Sequence, residues 1–364
     1  MALWSRQTDS GQGKQGKQSD QSNQSTRERL ASAVHPGWLN RDLSYLFWGR
    51  GLRSLSQGYL GVIVPLYLAE LHYSAVRLGV IFTAAAAVSA FMSAAVGVLS
   101  DRYGRKLFLV ILGLLTAAGG AAFAASGAFW VLLIAGAIST VGRGGGAGSG
   151  GAWGPYAAAE QALIAEHSGD QNRTSVFGAM SFIGVLTGAV GSLIAGMPSV
   201  LQHFFGTTQV DGDRILFFST IFVGIAMAAV MVPVRETRDA TGEPQPRQQR
   251  AKSGEKHKLQ PETVRLILKF MATNTANGLG YGLLGPITVY WFYRRYGVGS
   301  GQMAELFFLI NLATAPSYLF AARLAKRLGV VKGITHTRAL SVVMLGLMPF
   351  MPTYLLAALL YILR

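Results

Sequence analysis

An all-α integral membrane protein built as two helical bundles is the fold class this sequence predicts, and three observations predict it. Hydrophobic residues make up 51% of the 364 and charged ones only 13%, against about 25% charged in a soluble chain. The apolar residues gather into runs long enough to cross a hydrocarbon core, which takes roughly 20 residues at ~1.5 Å rise each. A stretch rich in charge, Pro and Gln, residues 235–262 ("RETRDATGEPQPRQQRAKSGEKHKLQPE"), interrupts these runs after the sixth and reads as a cytoplasmic linker between bundles.

Taken in order, residues 1–43 form a basic, polar tail and an interfacial segment. The first 35 are a Gln, Ser, Gly and Lys mixture that cannot bury enough apolar area to offset chain entropy, so disorder is expected there. Trp38, Leu39, Leu43, Leu46 and Phe47 stand close to Arg41 and Asp42, a pattern that either lies in the membrane interface or extends the first span. Six spans, near 44–71, 78–100, 107–126, 129–152, 175–197 and 215–234, make a first bundle, 44–234. After the linker, 263–364 holds spans near 267–292, 303–322 and 334–350, then a twelve-residue run, "TYLLAALLYILR", too short to cross.

The basic residues alternate between sides. With the N-terminus in the cytoplasm, the inner segments hold eight Lys and Arg in 1–53, three in 102–106, Arg173, nine in 235–269 and five in 323–338. The outer segments hold Arg77, Arg214, Arg294 and Arg295. This is the positive-inside bias, so the net charge of +15 is a topology signal and not a nucleic-acid footprint. The expectation is a multi-pass protein of the inner or plasma membrane, in contact with the lipid bilayer and with no nucleic-acid partner. Cysteine is absent, which excludes a disulfide framework and thiolate metal sites.

The stretch "GVLSDRYGRK", 97–106, packs charges between two apolar runs. Gly97 and Gly104 suit close backbone approach and a turn, Asp101 can cap the next helix, and Arg102, Arg105 and Lys106 hold the loop on the inner side. The stretch closely resembles the loop motif of the major facilitator superfamily, G-x-L-a-D-r-x-G-r-k-x-x-l, matching it at Gly97, Leu99, Asp101, Arg102, Gly104, Arg105 and Lys106. A weaker second copy, "ARLAKRLGVVK", stands at 322–332, with Lys326 in place of the acid and Val330 in place of Arg105. The resemblance implies a secondary transporter in which Asp101, Arg102 and Arg105 form a charge network against the opposite bundle and bias the inward and outward states. It also implies twelve spans, so a second bundle cut short after span 9 and a fragment is the expectation.

Within the spans, Arg143 lies deep in the fourth and either snorkels to the interface or faces a wet cavity. For Arg50 and Arg53 snorkelling is the favoured reading. Gln57, Tyr59, Asn274, Asn277, Tyr281 and Asn311, with Arg53 and Arg143, are the candidates for a substrate cavity, and interhelical hydrogen bonding explains them equally well. Gly146, Gly148 and Gly151 spell G-x-G-x-x-G, but no βαβ pattern surrounds them, so small-residue helix packing is preferred to nucleotide binding. Span 5 carries Gly184 and Gly188 but has Ala189 where the family's antiporter motif has proline, and packing is again preferred. No carboxylate falls near the middle of a predicted span, and Glu70 and Glu305 lie near outer ends, which leaves uniport, exchange or coupling to an ion open.

Alternating-access transport of a small solute, secondary active or facilitative, is the leading function, and the deep Arg143 makes an anionic solute a supported variant. A transport-dead sensor or assembly partner on the same scaffold is the alternative. A membrane-embedded enzyme is disfavoured because the six histidines are scattered and no HExxH or nucleophile pattern occurs, and no cofactor or metal is implied.

Overall fold

The computed structural model describes residues 39–139, 141, 154–168, 172–236, 265, 269, 285–328 and 330–364. The tail 1–38, the linker from 237 to 262, Arg143, Asn274, Asn277 and Tyr281 lie outside the described residues, as do the side chains of Asp101 and of most of the second motif copy.

Helix α1, Arg41–Glu70, starts where the Asn40 side chain accepts from the Leu43 N–H at 2.7 Å, with Asp42 in its first turn. The segment before the first span therefore extends that span. Helix α2, Ala75–Tyr103, follows a Ser74 cap and carries the charged motif almost to its end. The reversal into α3, Arg105–Ala125, takes one residue: Gly104 has φ +100°, a conformation that a side chain disfavours. Gly97, expected to permit a close approach, sits inside α2 with no described atom within 4 Å of where a Cβ would be. The expected capping by Asp101 rests on a side chain outside the described residues; Glu236 accepts from the Lys106 N–H at the start of α3.

The fourth span differs from expectation. Instead of one helix over 129–152 there are two short ones, α4, Phe129–Ile138, and α5, Pro155–His167. Both pack on α2 and α3. Phe129 of α4 meets Tyr73 at one end of the bundle, and Glu166 of α5 meets Arg105 at the other. Together they span roughly 35 Å at ~1.5 Å per residue, enough for one crossing. The Gly-rich segment lies between the halves, and Pro155 at the first turn suits a restart.

Helices α6, Arg173–Ile194, α7, Met197–Phe205, and α8, Gln209–Met231, complete the first bundle. Residues 285–296 form α9, followed by α10, Ser300–Leu328, α11, Val330–Leu347, and α12, Tyr354–Leu363. Among the described residues, four stretches are long and apolar enough to cross a membrane: Ala75–Ser100, Arg105–Ala125, Ser175–Phe205 and Gln209–Met231. Their apolar residues are partly outward: Ile215, Phe218, Phe222 and Ile225 make an exposed stripe on α8, as a lipid-facing surface should. The small residues of α6 serve packing, as expected. Gly191 abuts the Leu55 carbonyl and Gly58 abuts the Gly188 carbonyl, so α1 and α6 touch backbone to backbone.

Two apolar clusters organise the interior. At the end carrying Arg41, Arg105, Arg173 and Arg235, hereafter the basic end, Leu43, Leu46, Leu112, Leu163, Met180 and Met231 belong to a cluster whose described members come from the first bundle. At the far end, Tyr67, Phe123 and Phe217 of the first bundle join Phe292, Phe307 and Tyr361 of the second. Apolar contact between the bundles is thus concentrated at the far end among the described residues.

Candidate functional site

Arg50 and Arg53 stand nine and twelve residues into α1, roughly 14 and 18 Å from its start at ~1.5 Å per residue. Spaced i and i+3, they share a helix face. Neither snorkels: Arg53 is 1% exposed and Arg50 5%. Both turn to Glu160 on α5, itself 1% exposed, with Arg50 Nη1 at 2.7 Å and Arg53 Nη1 at 3.5 Å from the same Oε2. The Arg53 guanidinium also lies 4.8 Å from the ring centroid of Tyr156, one turn before Glu160. The restart of the fourth span at Pro155 is what brings Tyr156 and Glu160 to this depth.

Such a cluster is costly to bury and stable only as a set; removing one partner of a buried pair typically costs about 3–5 kcal/mol. Glu160 Oε1 and the Tyr156 hydroxyl have no hydrogen-bond partner among the described residues, which leaves acceptor and donor capacity unspent beside two guanidinium groups. A guanidinium offers parallel N–H groups that match carboxylate or phosphate oxygens. The predicted spans leave Glu160 in the segment between 152 and 175, whereas the structure places it on helix α5, buried against Arg50 and Arg53 of α1. The available signal was the run "PYAAAEQALIAEH", Pro followed by strong helix formers with Tyr156, Glu160 and His167 on a helical repeat.

Further along α1, Gln57 is buried one turn past Arg53. Tyr59 bonds Thr220 on α8 at 2.9 Å, inside the first bundle, so its hydroxyl joins two helices of one bundle. Asn311 on α10 donates to the Ser192 hydroxyl on α6 at 3.2 Å and to its own Phe307 carbonyl at 2.9 Å. A Cβ at Gly188 would lie 3.7 Å from the Ser54 carbonyl and 3.9 Å from Asn311 Oδ1. Helices α1, α6 and α10 converge there, and Asn311 is a polar link between the bundles.

At the basic end, Arg105 Nη1 donates to Glu166 Oε2 at 3.0 Å and to the Ala162 carbonyl at 3.1 Å, both on α5. His167 meets the Arg235 carbonyl at 3.0 Å, and the Arg235 N–H donates to Asp42 at 3.2 Å. With Glu236 on Lys106, these contacts tie α1, α3, α5 and the start of the linker together. Arg102 is exposed, over the Tyr103 ring. The described partners of Arg105 and Lys106 lie on α5 and at the start of the linker; the Asp101 side chain, on which the implied contact to the opposite bundle turns, lies outside the described residues. Glu166 and Glu236 carry no motif that marks them in advance.

A Major Facilitator Superfamily profile matches residues 46–363. Among curated proteins, an uncharacterized membrane protein of Saccharomyces cerevisiae is 22% identical over 347 residues, covering 89% of this chain and 76% of that one. Among solved structures, a bacterial homologue of the human lysosomal transporter Spinster, inward-facing and occupied, superposes with TM-score 0.56 at 17% identity over 88% of this chain and 70% of that one. The same homologue, unoccupied, gives 0.57 at 16% identity, covering 89% and 72%. A D-xylose–proton symporter gives 0.54 at 15% identity, covering 88% and 78%. Two helical bundles, a charged turn between the second and third spans and a profile match along nearly the whole described chain lead to one assignment: this chain belongs to the major facilitator superfamily.

Proposed function

We propose that the protein moves a small solute with an acidic group across the membrane by alternating access between its two bundles. Transport of a small solute follows from the family; the acidic group rests on the convergence of Arg50 and Arg53 on Glu160. Two guanidinium groups meet one carboxylate in the contacts described, Arg50 and Arg53 both on Glu160. Charge kept inside a span is expensive and usually belongs to a substrate or ion pathway. A solute carboxylate or phosphate that takes the place of Glu160 on Arg53, the longer of the two contacts, leaves the shorter Arg50 pair intact.

In this reading residue 1 and the linker face the cytoplasm, because the Lys and Arg bias is read by the insertion machinery. The Arg105–Glu166 and Glu236–Lys106 contacts keep the basic end of the first bundle rigid as it rocks against the second. The test is ligand-induced thermal stabilisation of the purified protein by mono- and dicarboxylates, phosphate esters and neutral sugars. Stabilisation by acidic compounds alone, lost in Arg53→Gln, is expected. Equal stabilisation by neutral sugars in both proteins would overturn the anionic assignment.

A further inference from the structure

The middle of α1 carries its polar residues on one face. Arg50, Arg53 and Gln57 recur at i, i+3 and i+7, the spacing that keeps side chains on one side of a helix. Gln57 stands one turn past Arg53, roughly 6 Å further along the axis at ~1.5 Å per residue. Beyond it the same face turns apolar, with Leu60 and Val64 both fully buried. The polar stretch is therefore short, and it ends in an amide.

That amide is not used by the fold. Gln57 is 8% exposed, and its carboxamide has no hydrogen-bond partner among the described residues. Its polar neighbours on α1 do have partners: the Ser56 hydroxyl donates to the Arg53 carbonyl at 2.8 Å, and Tyr59 bonds Thr220. A primary amide offers two donors and an acceptor oxygen, and a buried polar group left unpaired costs free energy. The second bundle comes close at this level. The Ser54 carbonyl and Asn311 Oδ1 both lie within 4 Å of where a Cβ of Gly188 would be, so Gln57 stands near the junction of the bundles, where a transported solute is held.

We propose that Gln57 determines which acids the protein accepts: the solute carries a hydroxyl or carbonyl oxygen a few bonds from its acidic group, as a hydroxycarboxylate or glycerol phosphate does, and Gln57 hydrogen-bonds that oxygen while Arg53 holds the acid. This rests on the acidic reading given above and adds the chemistry of the solute's other end. An alkyl acid of the same length sets a methyl group against the amide and leaves it unpaired, so it binds more weakly. A longer polar chain gains nothing, because Leu60 and Val64 offer it no partner.

Dissociation constants are measured by calorimetry on the purified protein for two matched pairs: butyrate with its terminal hydroxy derivative, and propyl phosphate with glycerol phosphate. In the unaltered protein the hydroxyl-bearing member of at least one pair is expected to bind at least about tenfold more tightly, as one hydrogen bond made rather than left unmade implies. Gln57→Leu brings the members of that pair within about twofold of each other and leaves the affinity of the alkyl acid unchanged. Its melting temperature without solute is not lowered, since an unpaired amide has been replaced by an apolar side chain of similar size. Gln57→Asn, which keeps the amide on a shorter stem, shows an intermediate preference. Equal affinity within both pairs in the unaltered protein would overturn this proposal alone, as would a preference that survives Gln57→Leu. Binding of none of the four acids would overturn the acidic reading, and this inference with it.

Discussion

Glu160 accepts from Arg50 at 2.7 Å across 110 residues of sequence, joining the first helix of the bundle to the second half of a broken fourth span. Arg53 reaches the same oxygen at 3.5 Å. The difference between these two contacts gives the first prediction. Glu160→Gln lowers stability by about 3 kcal/mol, the cost of leaving buried charge uncompensated. In double-mutant cycles read by thermal unfolding, Arg50 and Glu160 couple more strongly than Arg53 and Glu160. Equal coupling would show that the distances do not report the energetics.

The glycines separate into those that pack and those that do not. Gly191→Ala drives a methyl group into the Leu55 carbonyl and forces α1 from α6, so the variant loses its monodisperse folded fraction. Gly97→Ala meets nothing described and gains about 0.5–1 kcal/mol from reduced chain entropy in the helix interior. Size-exclusion profiles and melting curves of both variants check the contrast.

Asp101→Asn is expected to slow transport far more than it lowers membrane insertion, because the resemblance gives the acid a part in balancing two states. Flux per inserted molecule reads this directly. Unchanged flux with normal insertion would remove Asp101 from the mechanism.

Topology is tested by single cysteines at Ser253, in the linker, and at His203, on α7. In sealed right-side-out vesicles an impermeant thiol reagent should label the second and spare the first. The reverse pattern would invert the orientation.

Much of the fold is legible in the sequence because hydrophobic length is a local property. The predicted spans near 78–100, 107–126 and 175–197 correspond to α2, α3 and α6, with ends displaced by a few residues. The predicted fourth span meets a described helix that ends at Ile138, and the helix from Pro155 to His167 is hidden in the sequence because Glu160 and His167 make it resemble a loop by composition. The start of α8 is hidden for a related reason. Asp211, Asp213 and Arg214 mark a loop by composition, but Thr208 caps a helix that begins at Gln209 and buries Asp213. Of the cavity candidates, Arg53 and Asn311 occupy junctions between helices, and Tyr59 is engaged within one bundle. Which polar residue pairs with which depends on tertiary contacts such as Arg50 with Glu160, and no periodicity encodes those.

The central claim is transport of a small acidic solute through the Arg50, Arg53 and Glu160 set. Its most direct test is uptake of radiolabelled carboxylates and phosphate esters into proteoliposomes, with neutral sugars in parallel, for the unaltered protein and for Arg53→Gln. Saturable uptake of an acidic compound, reduced at least about tenfold in Arg53→Gln, as loss of one charge-assisted contact implies, is the predicted result. Saturable uptake of a neutral sugar that Arg53→Gln leaves intact would contradict it.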